Sequence, residues 1–574
     1  MGDIMPGIEP IDDDVKTLHG MGYAQELSRR MGAFQSFAIS FAIICILSGG
    51  LASFNVAMST TGPWGATIGW IIGGVFALVV AASLGQIASA YPTAGSLYHW
   101  SSILGGRFWG WATAYFNLLG LLFVIPAVNV ILYGFIRDLF FGGILGWDVS
   151  HWDDTIKTSF FNTQAYWVIG ITVFQALLNH FGIRLTTILT DFAGYLIFVV
   201  TVILIALLLM AIPHFDFSHA FEFANKTGDA GGGVAPQYGP FIAILMGMLY
   251  PLFTITGFDA SAHTSEETVN ARDTVHRGML HSVFWSLIFG FVLALAMVLA
   301  LPAVLPALLA DKTQTALSAD ALKALQAIPG GPKPSDMAAL GAGSFSVLFN
   351  YLVMPSLLGK IVAVCLIISN FLCALAAVTS TSRMIYAFSR DEGLPGSKWL
   401  SYVSPTWRTP VYAIWFSAIL SVILVIVTQP LGAFLALSTG CAMYLYISYA
   451  MPVVAGLVAE GNTWTKFGSF RLGWLSRPFA LIVALGVILT IIGGHAIVPD
   501  VPSSAGDPKA NPPVPPTPFA PGLLWYTLGF VAILVVLWLL IENRRFQGPP
   551  ITPEAIAKRQ AEIAAQEAAL GAST

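Results

Sequence analysis

Ile44-Cys45-Ile46-Leu47-Ser48-Gly49-Gly50-Leu51-Ala52-Ser53 breaks an apolar run near its middle with glycine and hydroxyl residues. Tyr250-Pro251-Leu252-Phe253-Thr254-Ile255-Thr256-Gly257-Phe258-Asp259-Ala260-Ser261 does the same in the second half of the chain. Glycine weakens a helix and admits non-helical dihedrals. Inside a bilayer, an unwound backbone is tolerated only where protein buries it or where it lines a cavity. One reading is local: Gly49-Gly50 and Gly257 are small residues that let neighbouring helices approach closely. The other treats the breaks as a pair, because matched interruptions in two halves of a membrane chain point to a bound, transported solute. Unwinding frees N–H groups at the start of one half-helix and C=O groups at the end of another. The N–H end is positive and suits a carboxylate. The C=O end suits an ammonium, so two facing breaks can hold a zwitterion with few charged side chains.

The composition demands a membrane. Of 574 residues, 56% are hydrophobic and 10% charged, against about 25% charged in soluble domains. Such a chain cannot cover its own surface in water. Disorder, a collagen-like fibre, a disulfide scaffold and a soluble multidomain enzyme are excluded. The net charge of −4 comes with no basic stripe of the kind nucleic acid requires. Cys45, Cys365, Cys373 and Cys441 all lie in apolar runs and form no CxxC pair. They read as small buried residues, and neither metal nor cofactor is expected. The ten histidines are scattered, without HxxxH or HExxH, and there is no GxSxG or phosphate-binding loop. Those absences weigh against a membrane enzyme and against ATP-driven transport. The first 32 residues are polar and acidic, with no cleavable signal, so the first apolar run is kept as a span.

A spanning helix takes about 20 apolar residues. Twelve segments qualify: 33–60, 63–90, 106–136, 163–182, 185–212, 239–262, 278–301, 356–388, 410–428, 431–458, 478–498 and 521–541. The first, second, sixth and eighth carry Gly, Ser or Thr clusters in mid-span. With the N-terminus inside, 18 of the 26 Lys and Arg fall on that side, including every Arg but Arg137. Positive residues favour the cytoplasm, so both termini are expected there. Plasma or inner membrane is the expected location. Residues 302–345 read as a long external loop with a short amphipathic helix near Ser318–Ile328, and the proline-rich stretch 499–521 reads as extended. The tail from Pro553 to Leu570 reads as a helix, either simply solvated or engaged with a partner.

Several motifs carry a resemblance. Tyr91-Pro92-Thr93-Ala94-Gly95-Ser96-Leu97-Tyr98-His99-Trp100 follows the second segment, and Phe116-Asn117-Leu118-Leu119-Gly120 lies in the third. Gly257-Phe258-Asp259-Ala260-Ser261-Ala262-His263 runs into Ser265-Glu266-Glu267. Ser389-Arg390-Asp391-Glu392-Gly393-Leu394-Pro395, Thr409-Pro410-Val411 and Tyr446-Ile447-Ser448-Tyr449-Ala450-Met451-Pro452 follow in order. Over roughly residues 22–545 the chain resembles the amino acid–polyamine–organocation (APC) transporters, and within them the amino acid/choline branch that includes GABA and choline permeases. The resemblance implies an all-α membrane protein of twelve transmembrane helices with a leucine-transporter-type 5+5 inverted repeat. Helices one and six would be discontinuous. The implied units are a cytoplasmic segment 1–32, repeats 33–212 and 239–458, two further helices in 478–541, and a cytoplasmic tail 542–574. The family's substrate carboxylate site maps onto Ser48, Gly49, Gly50 and Leu51. Its amine site maps onto Phe253, Thr254 and Thr256 beside Gly257, with an aromatic lid at Phe253. Phe258 either gates or packs.

Other polar residues invite roles. Asp259 is read as an N-cap for the second half of helix six, with a substrate or proton role as the alternative. Asn117 either lines the cavity or bonds between helices, and Asn370 with Ser369 is a weaker candidate in helix eight. Glu266, Glu267, Arg383 and Arg390 could form a gate or a static ion-pair set. Asp191, Lys360 and His180 are candidates for coupling because an ionisable residue in a span is costly; all three lie near helix ends, where the interface can accommodate them. Some proton-coupled relatives carry a helix-five lysine that stands in for sodium, which this chain lacks. At the position of the sodium relatives' paired hydroxyls stand Ala376-Ala377, with Thr379-Ser380-Thr381-Ser382 close by. The expectation is therefore a secondary active transporter for an amino acid or GABA-like zwitterion, working by alternating access, with proton coupling or exchange favoured over sodium. Its partners are a small amine-bearing substrate and the lipid bilayer. The alternatives are a choline or polyamine carrier of the same fold, a channel, and an amine receptor that transports nothing.

Overall fold

The computed structural model describes residues 13–149, 152, 162–229, 234, 236–310, 344–428, 433–465, 467–500, 521–550 and 552–569. The helix expected near Ser318–Ile328 and nearly all of 499–521 lie outside these residues.

Every expected span falls on helix. The first is split into α1 (Ala33–Ile44), α2 (Gly49–Ala52) and α3 (Phe54–Thr61). Then come α4 (Pro63–Ala90), a short α5 (Ser96–Gly105), α6 (Arg107–Phe135), α7 (Thr163–His180) and α8 (Ile183–Met210). The sixth span is split into α9 (Pro240–Gly247), α10 (Leu249–Thr254) and α11 (Ala260–His263). It is followed by α12 (Ala271–Ala310), α13 (Leu357–Arg390), α14 (Val411–Thr428), α15 (Ala433–Ala459), α16 (Ser476–Ile497) and α17 (Leu523–Leu537), and the tail forms α18 (Pro553–Ala569). Among the described residues, ten helical stretches are long and apolar enough to cross a membrane. The other two spans are α7, which carries Gln164, Gln175, Asn179 and His180, and the broken sixth, whose apolar part is only Pro240–Thr254.

Burial separates core from periphery. Ala33–Ala52 and Arg107–Ile144 are 83% buried in their most apolar windows, whereas Leu523–Arg545 is 11% buried. Helix α8 shows why. Ile188, Phe192, Tyr195, Val199 and Val202 are exposed at alternating steps of four and three, an apolar stripe that faces outward. In water that stripe would drive aggregation; in hydrocarbon it costs nothing. The protein is an integral, multi-pass membrane protein.

The second and eighth segments, which also carry Gly, Ser or Thr clusters in mid-span, are unbroken helices α4 and α13. The glycines of α4 serve packing. A Cβ at Gly69 would lie 2.8 Å from Met248, one at Gly73 would overlap the ring of Pro251, and one at Gly74 would overlap Leu287. This small-residue face lets α4 approach α10 and α12 closely, and Trp70 Nε1 ties the contact by donating to the Leu287 carbonyl at 3.0 Å. A proline ring cannot move aside, so Gly73→Val is expected to destabilise by about 1–3 kcal/mol and lower the melting temperature in detergent. Gly134→Ala, with nothing within 4 Å of the new carbon, is expected to leave it unchanged or slightly raised.

Candidate functional site at two broken helices

The first break is tight. After α1, Cys45 takes φ 29° and ψ 82°, Ser48 takes φ −108° and ψ −84°, and helix resumes at Gly49. The amides of Gly49, Gly50 and Leu51 open the new half-helix, where no preceding helical carbonyl can receive them. The second break runs from Ile255 (φ −96°, ψ 57°) through Gly257 at φ +77°. Glycine is required there twice over: the φ is left-handed, and a Cβ would overlap Ile43.

The breaks meet. A Cβ on Gly49 would lie 3.1 Å from Thr254 Cα and 3.4 Å from the Phe253 ring, and one on Gly50 would lie 3.6 Å from Thr254 Cγ2. The amide start of α2 therefore stands against the carbonyl end of α10. Ser48, Leu51, Phe253, Thr254 and Thr256 are all buried. Thr254 Oγ1 donates to the Tyr250 carbonyl at 2.8 Å and Thr256 Oγ1 to the Phe253 carbonyl at 2.8 Å. Ser48 Oγ is buried with no hydrogen-bond partner. The Phe253 ring meets Phe434 edge-on at 6.0 Å, and Phe258 packs on Tyr449 at 4.8 Å with no exposure.

Side chains of α13 and α15 satisfy the freed backbone. Cys373 Sγ donates to the Ile43 carbonyl at 3.3 Å, and Asn370 Nδ2 to the Leu47 carbonyl at 3.2 Å. Tyr446 donates to the Ile255 carbonyl at 3.0 Å, and the Gly257 amide donates to Tyr449 Oη at 3.0 Å. Ser40 on α1 donates to the Phe258 carbonyl at 2.7 Å. Tyr446, Tyr449, Cys373 and Ser40 were given no role on sequence alone. The Tyr446–Tyr449 spacing of three was the available signal, since it sets two polar tips on one face of an apolar span.

Asp259 occupies an N-cap position but makes no capping bond. Its carboxylate instead accepts from Tyr449 Oη at 2.8 Å, Asn117 Nδ2 at 3.1 Å and His263 Nε2 at 3.0 Å. Asn117 also donates to Ser448 Oγ at 3.3 Å, so it bonds between helices. The coupling candidates lie elsewhere. Asp191 accepts from Gln35 Nε2 at 2.9 Å near the start of α1, His180 Nδ1 accepts from Trp415 at 3.3 Å, and Lys360 is exposed.

At the end of the bundle that carries both described chain ends, the four candidate gate residues form two ion pairs. Arg383 contacts Glu267 through two nitrogens at 3.0 and 3.2 Å, both side chains fully buried. Arg390 contacts Glu266 at 2.9 and 3.0 Å. The Arg30 and Met31 amides donate to the Glu267 carbonyl, and the Ala94 amide donates to Glu266 Oε1 at 3.1 Å. Asp391 accepts from Tyr23 and pairs with Arg559 of α18 at 2.7 Å. The pairs join α13 to the segment after α11.

An all-helical bundle with two facing breaks has the leucine-transporter-type fold, and the protein is a secondary transporter. The chain belongs to the amino acid permease family, whose model matches residues 31–538. It is 30% identical over 561 residues to "Amino-acid permease BAT1" of Arabidopsis thaliana, covering 94% of this chain and 96% of that one. It is 26% identical over 512 residues to "Thiamine transporter thi9" of Schizosaccharomyces pombe, covering 84% and 80%. Among solved structures, MhsT in complex with L-phenylalanine aligns over 81% of this chain and 98% of its own, with a TM-score of 0.51 at 12% identity.

Removing one partner of a buried ion pair strands the other charge, at a cost of about 3–5 kcal/mol. Arg383→Ala is expected to lower the melting temperature markedly. The double variant Arg383→Met with Glu267→Gln, which strands no charge, is expected to recover a large part of that loss in the same thermal unfolding assay.

Proposed function

We propose that this permease carries a small zwitterion, an amino acid or a GABA-like molecule, by alternating access, with proton coupling or exchange. The observation that carries the reading is the contact of Gly49 with Thr254 and Phe253, which sets free amides opposite helix-end carbonyls. In this reading the substrate carboxylate accepts from the Gly49, Gly50 and Leu51 amides, with the partnerless Ser48 hydroxyl as a further donor. The substrate ammonium donates to the carbonyls freed around Phe253, Thr254 and Thr256. Residues 33–212 and 239–458 act as the two inverted repeats, and their relative rocking exposes the site to each side in turn. The two Arg–Glu pairs break and re-form as the gated face opens. Both termini are cytoplasmic, on the Lys and Arg asymmetry.

An organic cation is the competing substrate class, since one relative is named a thiamine transporter. Against it, the carboxylate nearest the second break, Asp259, already accepts from three donors. A ligand at 100 times its Kd stabilises the folded state by about 2.7 kcal/mol. Neutral amino acids or GABA are therefore expected to raise the melting temperature of the purified protein, while choline and polyamines leave it unmoved. Gly49→Val, which thrusts carbon into the Thr254 backbone, is expected to abolish the shift, and Gly50→Ala to reduce it less. A shift with choline alone would remove the carboxylate role of Ser48–Leu51.

A further inference from the structure

We propose that His263, held by Asp259, is the proton-binding group that couples substrate movement to a proton gradient; this rests on the transporter reading above. Both side chains have no exposure. Nε2 of His263 lies 3.0 Å from Asp259 Oδ2. An ionised carboxylate can only accept, so Nε2 carries a proton and the variable position is Nδ1.

Nδ1 has two neighbours of opposite character. Ser96 Oγ on α5 lies at 3.1 Å, and the Ala94 carbonyl oxygen at 3.3 Å. The neutral ring accepts a hydrogen bond from the serine hydroxyl. The protonated ring donates to the Ala94 carbonyl. Both charge states therefore have a partner in place, and passing between them needs only a hydroxyl rotation. A buried histidine built for one state alone would lack the second partner. Histidine is also the side chain whose charge changes near neutral pH.

The surroundings fit such a role. Tyr449 from α15 and Asn117 from α6 donate to the Asp259 carboxylate. Against α11, helix α1 presents the Ser36 carbonyl and the Ser40 hydroxyl, and α12 presents Gly278. From α13, Arg383 and Arg390 are each matched by a glutamate of the adjoining segment, Glu267 and Glu266. When the ring is neutral the Asp259–His263 pair carries one negative charge, and a proton on Nδ1 cancels it. The neighbouring His99 on α5 does not compete, since burial pushes it down to about 4 and leaves it neutral near neutral pH.

The dyad lies on one line of contacts between the substrate break and the gate. The Gly257 amide donates to Tyr449 Oη, which donates to Asp259. On the other side, the Ala94 carbonyl faces His263, while the Ala94 amide donates to Glu266, the partner of Arg390. One cycle moves one proton. Nδ1 takes it from water on the side to which the site is open, and surrenders it to water on the other side after the gates exchange. The ring ends as it began, and a neutral zwitterion crosses with one positive charge.

The test uses the full chain in liposomes, with labelled L-alanine and labelled GABA as probes. Counterflow without a gradient reports exchange alone; accumulation driven by an inward proton gradient reports coupling. For the wild type, both are expected. For His263→Gln, the ratio of accumulation to counterflow is expected to fall at least tenfold. Ser96→Ala removes the partner of the neutral ring, so its accumulation profile is expected to shift toward higher pH. A substrate-independent arm compares melting temperatures of wild type and His263→Gln across the range where histidine titrates, and a pH-dependent difference is expected. The proposal is overturned if wild-type counterflow proceeds without proton-driven accumulation, if His263→Gln accumulates as the wild type does, or if the melting difference is flat with pH. Absent wild-type counterflow with both probes counts instead against the zwitterion reading, and the melting arm then still decides whether His263 titrates.

Discussion

A peptide group freed from a helix in the middle of a bilayer finds no water there, and each unsatisfied group costs several kcal/mol. Two stretches of this chain free such groups, and their partners are specific: Cys373 and Asn370 from α13, Tyr446 and Tyr449 from α15, Ser40 from α1. The rest of the architecture follows from that requirement. Helix α13 must stand within hydrogen-bond reach of the first break and α15 within reach of the second, which puts them in the centre. Helices α8 and α17 lie outward and turn apolar faces to the lipid.

Because these supports are side-chain bonds to fixed helices, the broken segments are held without being continuous with their surroundings. Ser48 to Leu51 and Phe253 to Thr256 can therefore present backbone groups to a solute while the scaffold stays intact. The same economy explains how few charges the interior holds. In the proposed reading backbone dipoles do the work of ions at the break, and the buried carboxylate beside it, Asp259, is met by a tyrosine, an asparagine and a histidine. Full charges are concentrated at one end of the bundle, where Arg383 with Glu267 and Arg390 with Glu266 join α13 to the segment that follows α11. A buried bidentate pair is a poor source of net stability, since desolvation offsets its attraction. In the proposed reading it serves a closure that must reopen into water.

Much of this was legible beforehand. The twelve spans were readable because hydrocarbon admits little but long apolar helices, and all twelve fall on helix. The breaks at Ser48–Gly50 and Thr254–Gly257 were readable because glycine and hydroxyls in mid-span are expensive unless used. Similar Gly, Ser and Thr clusters sit in unbroken helix in α4 and α13. Local sequence does not separate a glycine that unwinds from one that packs. At Gly73 the answer lies with Pro251, 178 positions away in a different helix. Asp259 shows the same limit: its position after Gly257 suggested a cap, and Tyr449 and Asn117, on two other helices, drew the carboxylate away.

By itself the sequence determined the membrane, the number of spans and the two places where helix gives way, since each depends on the composition of a short window against a uniform apolar solvent. Tertiary structure alone decided that the two breaks touch, which side chains complete their backbone, how the four gate charges pair, and that His263 stands between a carboxylate, a hydroxyl and a carbonyl. Those are distances between residues far apart in the chain, and hydrogen bonds fall off within a fraction of an ångström that no spacing along a sequence records.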